Sequence, residues 1–344
     1  MKFEIKKIVD IPTSTYHTAK YGEDNFFIAG SNWNRKSVQK GNEPLFSAQG
    51  RLYHYGAGKV VSFPTDTDML YIVEVISKDL LFLGAKTEKN TFQLFSLSQK
   101  KVIKQQSDPQ GGGCYGTLYL PENQELLMAT RNGFLQTVDI ASLKVKKSVQ
   151  ITPSGVRLWG IYYDTSEGNI YTGDYLGTLY KIRKDGFTIE KKVCLYDLYK
   201  HYDNHDNPPS LWGLSYQNGK IIGGDRFGGI TIWDKDLHQQ DHYRLKKDGT
   251  LILDPLQKIP SCEVESVMSL KMVDDQHFLL GSRWGNVFLG DTQRTLQKIL
   301  TVPMGIQKEN SAFTMERLDH NDGIEILITF GDGQVYALTS VSEE

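Results

Sequence analysis

Three arginines occupy matching positions in short, glycine-containing turns of this 344-residue chain: Arg131 in TRNG, Arg226 in GDRFG and Arg283 in GSRWG. A related turn, GDYLG, has Tyr175 at the same position. Guanidinium groups bind carboxylate or phosphate through two parallel hydrogen bonds and stack on aromatic rings. Together these side chains could bind an acidic peptide or ligand. The alternative is structural, with each residue serving its own turn, for instance by pairing with Asp174 or Asp225.

Large aromatic residues that open apolar segments offer a second kind of binding chemistry. Trp159 and Trp212 begin two such segments, and Tyr115, Met268 and Phe313 stand at the matching place in others. Tryptophan, tyrosine and arginine dominate interface hot spots because they bury a large area and keep a polar group. Inner strands also need bulky residues for packing, so both roles stay open for Trp159 and Trp212.

Trp284 and Trp33 lie in turns, and Trp284, which follows Arg283, is the better surface candidate. The candidate partner-binding residues are therefore Trp159, Trp212, Arg226, Arg283, Trp284, Tyr175, Arg131, Asp225 and Arg157.

Motifs of familiar catalytic or metal chemistry are missing from the sequence. The glycine run 111–113 precedes a strand-like segment and has no following Lys-Ser/Thr, so it cannot form a P-loop. Neither GxSxG nor HExxH occurs. His201 and His205 have metal-ligand spacing, but the neighbouring prolines, Asn and Asp predict a solvated loop without a third ligand. We expect no metal and no cofactor, and catalytic residues stay unknown, because spacing cannot show which carboxylates meet.

Composition predicts a folded chain without a general attraction to nucleic acid or membranes. Hydrophobic residues make up 39% and charged residues 23%, which is enough to bury a sizeable core. The formal charge is −2, and the lysine pairs, such as Lys146-Lys147, fit outer strand edges that they protect from pairing. Three widely spaced cysteines and the lack of a signal-peptide pattern lead us to expect a reducing compartment, by default the cytoplasm.

A repeat positions all the residues named above. Seven apolar segments each end in a small residue followed by a turn, and these small residues lie 44 to 57 residues apart, the period of propeller blades. The small residues are Gly30, Gly84, Ala129, Gly173, Gly224, Gly281 and Thr329. Around each of them, period-2 alternation and Gly/Asn/Asp turns predict short antiparallel strands and no βαβ units. The seventh copy stops after its third strand, so the lone strand predicted at residues 2–9 should complete it and close the ring.

The clearest copy contains Ile232-Trp233-Asp234 at the end of its third strand, and the chain resembles the WD40-type seven-bladed β-propeller family over its whole length. The family's Gly-His pair before the first strand is absent from every copy. The resemblance implies an all-β fold, a single propeller of seven four-stranded antiparallel blades with the N-terminal strand in the last. The expected blades are residues 11–66, 67–110, 111–153, 154–207, 208–262, 263–305, and 306–340 together with 2–9.

The long connections are predicted to lie on one face of the propeller. In the WD40 pattern, loops between blades and turns between the second and third strands share a face, the top face. Segments 107–113, 195–210, 246–265 and 303–311 are loops between blades, and the insertion 31–50 follows a second strand. Long loops on a rigid scaffold commonly carry binding sites, so we place the working surface on the top face.

The leading functional hypothesis is a protein-interaction scaffold that binds a partner peptide or complex subunit on this face. Aromatic anchors and Arg–carboxylate pairs would supply the affinity. Two alternatives stay open: a propeller hydrolase or esterase, similar to the WD40-like protein that demethylates diphthine, and a small-ligand sensor in the central channel. Carboxylates, or His with a carboxylate, converging in the top pocket would favour the enzyme.

Overall fold

The computed structural model describes residues 1–11, 13–22, 25–31, 49–199, 208–254, 257–260, 262–303, 311–320 and 323–341. Within these ranges, 29 strands form seven antiparallel sheets arranged as the blades of a propeller. This confirms the predicted all-β, seven-bladed fold.

The strands of each blade follow one another in sequence from the axis outwards, apart from the last blade. The N-terminal strand, β1 (Lys2–Asp10), belongs to the last blade. Blade one contains β2 (Ser14–Lys20), β3 (Phe26–Ser31), β4 (Gly50–Gly56) and β5 (Lys59–Pro64). Blade two contains β6 (Leu70–Val75), β7 (Leu80–Ala85), β8 (Phe92–Ser96) and β9 (Lys101–Gln106). Blade three contains β10 (Cys114–Leu120), a 3₁₀ turn (Pro121–Asn123), β11 (Glu125–Thr130), β12 (Phe134–Asp139) and β13 (Val145–Gln150). Blade four contains β14 (Leu158–Asp164), β15 (Asn169–Asp174), β16 (Thr178–Arg183) and β17 (Thr188–Cys194).

Blade five has a short additional strand beyond the expected four. It contains β18 (Leu211–Gln217), β19 (Lys220–Asp225), β20 (Gly229–Asp234), β21 (Gln239–Leu245) and β22 (Leu251–Ile252). Blade six contains β23 (Val267–Met272), β24 (His277–Ser282), β25 (Asn286–Asp291) and β26 (Leu296–Thr301). Blade seven contains β27 (Ala312–His320), β28 (Gly323–Phe330), β29 (Gln334–Val341) and the N-terminal β1 (Lys2–Asp10).

The predicted small residue at the end of each second strand lets neighbouring blades approach. A methyl group placed on Gly224 of β19 would lie 2.2 Å from Cγ1 of Val267, the first residue of the next blade. Gly84 meets the side chain of Cys114 in the same way, and Gly281 meets Ala312. Because these contacts are direct, the first strands of all seven blades pack side by side around the axis.

The long connections follow the predicted order, with two additions. A single helical turn, α1 (Tyr196–Tyr199), lies in the loop after blade four, and β22 pairs with β21 inside the loop after blade five. The insertion predicted at 31–50 separates β3 from β4, and its residues 32–48 lie outside the described ranges. Among the described residues, no helix has the length and apolarity to cross a membrane. The three cysteines are free thiols.

The N-terminal strand closes the ring as predicted. β1 pairs antiparallel with β29 from Lys2 opposite Val341 to Asp10 opposite Gln334, with an irregularity between Lys7 and Val9. Phe3 and Ile5 pack against the core shared by blades six and seven, while the side chain of Lys6 is exposed. Apolar packing and backbone pairing therefore both hold the two ends together.

Replacing Ile5 with aspartate should lower the melting temperature, because a carboxylate would then face the apolar core of blade seven. Burying an unpaired charge or losing this packing costs about 2–4 kcal/mol. Lys6→Asp, on the opposite side of the same strand, is the matched control and should leave stability nearly unchanged. Equal melting temperatures for Ile5→Asp and Lys6→Asp in calorimetry would refute the closure.

Candidate functional site

Every first strand has a β-bulge near its top end, which aims one large side chain at the axis. The register shift falls between Thr15 and His17 in β2, for example, and between Leu211 and Gly213 in β18. A bulge adds a residue that leaves the ladder and turns its side chain out of the sheet. The residues at this position, here called the collar, are Tyr16, Tyr71, Tyr115, Trp159, Trp212, Met268 and Phe313, and all of them line the central channel.

Aromatic contacts make most of the collar one continuous surface. The ring of Tyr16 lies 5.4 Å from that of Phe313 and 5.2 Å from that of Tyr71. The series continues from Tyr71 to Tyr115 at 5.3 Å and from Tyr115 to Trp159 at 5.0 Å. Tilted and edge-on pairs at such distances stabilise one another. The collar is thus a preformed aromatic platform at the mouth of the channel.

Cationic side chains surround the collar at positions equivalent to the predicted arginines. In blades three to six, the residue after the second strand donates its backbone N–H to the carbonyl oxygen just before a first strand: Arg131 to Gly113, Tyr175 to Arg157, Arg226 to Ser210 and Arg283 to Ser266. Lys86 makes the same bond with Met69 and so belongs to this set. Because the backbone makes this bond, the turn does not require a cationic side chain.

Lys86, Arg131 and Arg157, here called the cation cluster, converge over blades two to four. The Lys86 Nζ lies 4.8 Å from the Tyr71 ring centre and 5.2 Å from that of Tyr115. The Arg157 Cζ lies 5.7 Å from the Tyr115 ring centre and 5.4 Å from that of Tyr175. Among the described residues, no carboxylate forms an ion pair with any of the three cations.

Burial and neighbouring positive charges affect the protonation of Lys86. Burial, followed by the charges of Arg157 and Arg131, lowers the pKa of the Lys86 amine to about 8. Among the described residues, no carboxylate opposes these effects by raising the pKa of Lys86.

Asp225 and Asp174 lie beneath the site and hold its turns. Asp225 is buried, and its carboxylate accepts hydrogen bonds from the backbone N–H groups of Phe227 and Gly229 and from the Tyr199 hydroxyl of α1. Burial raises the pKa of the Asp225 carboxyl above its usual value, although these hydrogen bonds oppose the rise. The Asp174 carboxylate likewise accepts hydrogen bonds from the backbone N–H groups of Leu176 and Thr178 and from the Tyr180 hydroxyl. Both carboxylates are engaged within their turns, which fixes the positions of Arg226 and Tyr175.

The structure brings the predicted residues into two groups. Arg157, Trp159, Tyr175 and Trp212 line one cavity, and Arg226 stacks on Trp212 with its Cζ 5.8 Å from the ring centre. Arg131 joins them through the cation cluster.

Arg283 and Trp284 form the second group, on blade six. Their side chains are not part of the cavity lining; Trp284 lies between Arg283 and Lys247, whose Nζ is 3.9 Å from the ring centre. The predictions for Trp33, His201 and His205 fall outside the described residues.

Below the collar the channel contains ionisable residues, here called the lower channel: His17, Glu74, Thr117, Tyr162, Lys271 and Glu316. The cavity that includes both levels has a volume of about 620 Å³. Burial raises the pKa of Glu74 to about 7, and the Glu316 charge adds to the effect, whereas Thr117 and Lys271 oppose it. Burial likewise raises the pKa of Glu316. For His17, burial and the Lys271 charge lower the pKa to about 4, so its imidazole is neutral at pH 7.

Several of these residues escaped prediction although the repeat contained the signal. Tyr16 and Tyr71 occupy the place of Trp159 and Trp212 when first strands are aligned on their bulges. Lys86 was missed because its turn, AKTEKN, is longer than the TRNG and GDRFG turns. Glu74, Lys271 and Glu316 each stand three residues after a collar residue, but their convergence depends on the ring geometry.

Comparisons with known proteins agree on the fold. No family model matches the sequence, and no curated protein matches it. Many solved structures are similar. One is the crystal structure of the WD40 β-propeller domain of Doa1, with a TM-score of 0.66, 12% sequence identity, and alignment over 99% of this chain and 97% of that chain. The chain thus has the fold of a seven-bladed β-propeller, and specifically that of a divergent WD40-like propeller.

Glu74→Gln should change how stability depends on pH. Since the pKa of Glu74 is about 7 in the folded state and near the usual 4.5 of a glutamate in the unfolded state, the folded protein holds an extra proton between these pH values. Its contribution to stability is therefore lost as pH rises from about 4.5 to 7. A glutamine at this position does not titrate, so the variant does not lose this stability as pH rises. The difference in unfolding free energy, variant minus wild type, should therefore increase by up to about 3 kcal/mol between pH 5 and pH 8.

Urea unfolding at a series of pH values measures this difference. Glu4→Gln on the exposed side of β1 serves as control and should follow the wild-type curve at every pH. A constant offset between Glu74→Gln and wild type would show that Glu74 does not titrate in this range.

Proposed function

We propose that the collar and the cation cluster form the docking site of a protein-interaction scaffold, and that the partner presents an acidic segment. The observation that supports this most is the cation cluster itself. Lys86 and Arg157 lie over aromatic rings of the platform, the charge of Arg131 acts on Lys86, and none of the three has a carboxylate partner among the described residues. An acidic segment would supply the missing charge. Carboxylates would pair with Arg157 and Arg131, and apolar or aromatic side chains would pack on the collar.

An unused donor on the collar also supports a partner rich in acceptors. The indole Nε1 of Trp159 is buried and finds no acceptor within the described part of the chain. Buried N–H groups without a partner cost free energy, which an incoming carboxylate or carbonyl oxygen would recover. Trp159 contacts Tyr115, and both line the cavity, so the same ligand would contact the rings and this donor.

The candidate residues have different tasks in this proposal. Arg131, Arg157, Trp159, Tyr175 and Trp212 contact the segment at the collar, and Arg226 extends the site over Trp212. Asp225 acts by holding the Arg226 turn. Arg283 and Trp284, with Lys247, extend the surface towards blade six and would contact a longer segment or a folded partner.

The enzyme alternative depends on Glu74, Glu316 and His17, which do lie in the same channel. A hydrolase needs such groups in direct hydrogen-bond contact with each other or the substrate. Within the described chain, the hydroxyl of Thr117 is the hydrogen-bond partner of Glu74, at 2.5 Å. The cation cluster lies at the accessible mouth and therefore favours the scaffold.

Charge reversal at the collar should abolish partner binding. In Lys86→Glu/Arg157→Glu, two cations become anions next to the aromatic platform, so an acidic segment is repelled. Affinity purification with crosslinking mass spectrometry from the native cell extract would identify the partner, and titration with the purified partner should show affinity reduced at least about 100-fold, as for loss of two close charge pairs.

Lys78→Glu/Lys144→Glu provides a control with the same change in net charge. Both lysines are exposed and lie in turns on the opposite face of the propeller. The control should keep the partner and its affinity. If a partner binds wild type and the collar variant equally, the collar is not the docking site.

A further inference from the structure

The central channel has opposite charges at two levels. Lys86 and Arg157 line its mouth, while Glu74 and Glu316 line the same cavity further down. Glu74 follows the collar residue Tyr71 by three positions, and Glu316 follows Phe313 by three, which corresponds to about 10 Å along an extended strand. The cavity thus runs from a cationic mouth to an acidic interior.

The lower channel has more carboxyl groups than cations. Glu74 accepts a hydrogen bond from Thr117 and lines the cavity together with His17, Tyr162, Lys271 and Glu316. It also lies near the thiol of Cys114 on the first strand of the next blade. Of these, only Lys271 carries a positive charge at neutral pH, since the His17 imidazole is neutral. Its charge opposes the rise in the pKa of both glutamates but does not cancel it.

Polar atoms without partners accompany these carboxyls. The Thr18 side chain is completely buried, lines the cavity, and its hydroxyl has no hydrogen-bond partner among the described residues. Thr314 also lines the cavity, and its buried hydroxyl likewise has no hydrogen-bond partner among the described residues. Buried hydroxyls normally have partners, so a ligand or ordered water is expected to bind them.

We propose that the channel binds an elongated zwitterion, with its anionic group at Lys86 and Arg157 and its ammonium group between Glu74 and Glu316. The alkyl or peptide part between the two charges passes through the aromatic collar. A volume of about 620 Å³ suits a small molecule of this kind. The inference depends on the proposed function in one respect, because both use the mouth as an anion site.

Binding of the ammonium group is coupled to loss of a proton. An ammonium beside Glu74 favours its carboxylate form, and the pKa of Glu74 is about 7 in the free protein. Below this pH, binding must expel the proton, so affinity for the zwitterion increases as pH rises from about 6 to 7.5. The pKa of Lys86 is about 8, so its ammonium persists over most of this range.

Isothermal titration calorimetry of the full chain with defined probes tests the proposal. The zwitterions are γ-aminobutyrate, ε-aminocaproate and ω-aminocaprylate, whose charges are progressively further apart, and caproate and hexylamine each carry one of the two charges. We expect one of the two longer zwitterions to bind at least about tenfold more tightly than caproate or hexylamine, since a charge-assisted hydrogen bond contributes about 1.5–3 kcal/mol. γ-Aminobutyrate is too short to reach both levels and should bind no better than caproate.

Variants assign the two ends of the ligand. Glu316→Gln should weaken the longer zwitterion about tenfold and leave caproate unchanged, whereas Lys86→Ala should weaken both. Circular dichroism would verify that the variants fold, and Glu4→Gln is the surface control.

The outcomes separate this inference from the proposed function. If caproate binds but no zwitterion binds more tightly, the acidic interior is not an ammonium site, while the anion site at the mouth stands. If neither binds, the channel inference is refuted, and the docking proposal is judged by the partner titration. Zwitterion affinity that does not change between pH 6 and pH 7.5 would refute the role of Glu74.

Discussion

Direct contact between blades is the constraint on which the rest of the structure depends. The end of each second strand carries a small residue because the next blade begins against it, as Gly224 does with Val267 and Gly84 with Cys114. This contact places seven first strands side by side, and their matching bulges then place seven large residues in one ring. The collar is therefore a consequence of repeating one local geometry around a closed circle. β1 is part of the same constraint, since it completes the blade that joins the two ends.

The cationic side chains around the collar are not needed to hold the turns that carry them. The tight turns are held by their backbone and by buried carboxylates such as Asp174 and Asp225, which bind amides and tyrosine hydroxyls. Lys86, Arg131 and Arg157 are left without a carboxylate in the described part of the chain, although a paired arrangement would be more stable in isolation. Uncompensated charge on a rigid platform is a common property of binding sites. This is the physical basis for assigning the collar to a partner.

The sequence predicted the fold well because the fold is local and repeated. Strand alternation, turn residues and the spacing of small residues are visible within each copy, and the closure by residues 2–9 followed from the unfinished seventh copy. Prediction of the site was less complete. Trp159, Trp212 and Arg157 were selected by their residue types, and they line the cavity. Lys86 was not selected because its turn is longer than the related turns, and the places of Tyr16 and Tyr71 become visible only when the first strands are aligned on their bulges.

The lower channel shows a different kind of limit. Glu74, Lys271 and Glu316 come from blades two, six and seven and are far apart in sequence. Only the closed ring brings them together, and no spacing rule could have indicated it. The second group, Arg283 and Trp284, shares the motif of Arg226 but does not line the cavity, and the sequence motif does not distinguish the two cases.

The cation cluster has no carboxylate partner among the described residues, so we expect the pKa of Lys86 in the free protein to be low. Nuclear magnetic resonance of carbon-13-methylated lysines measures this directly, with Lys86→Arg used to assign the signal. The account predicts that Lys86 titrates near pH 8 in the free protein and moves towards its usual value of 10.5 when an acidic ligand binds or when Arg157 is replaced by alanine. A Lys86 that titrates near 10.5 in the free wild-type protein would contradict the account, because its charge would then already be compensated.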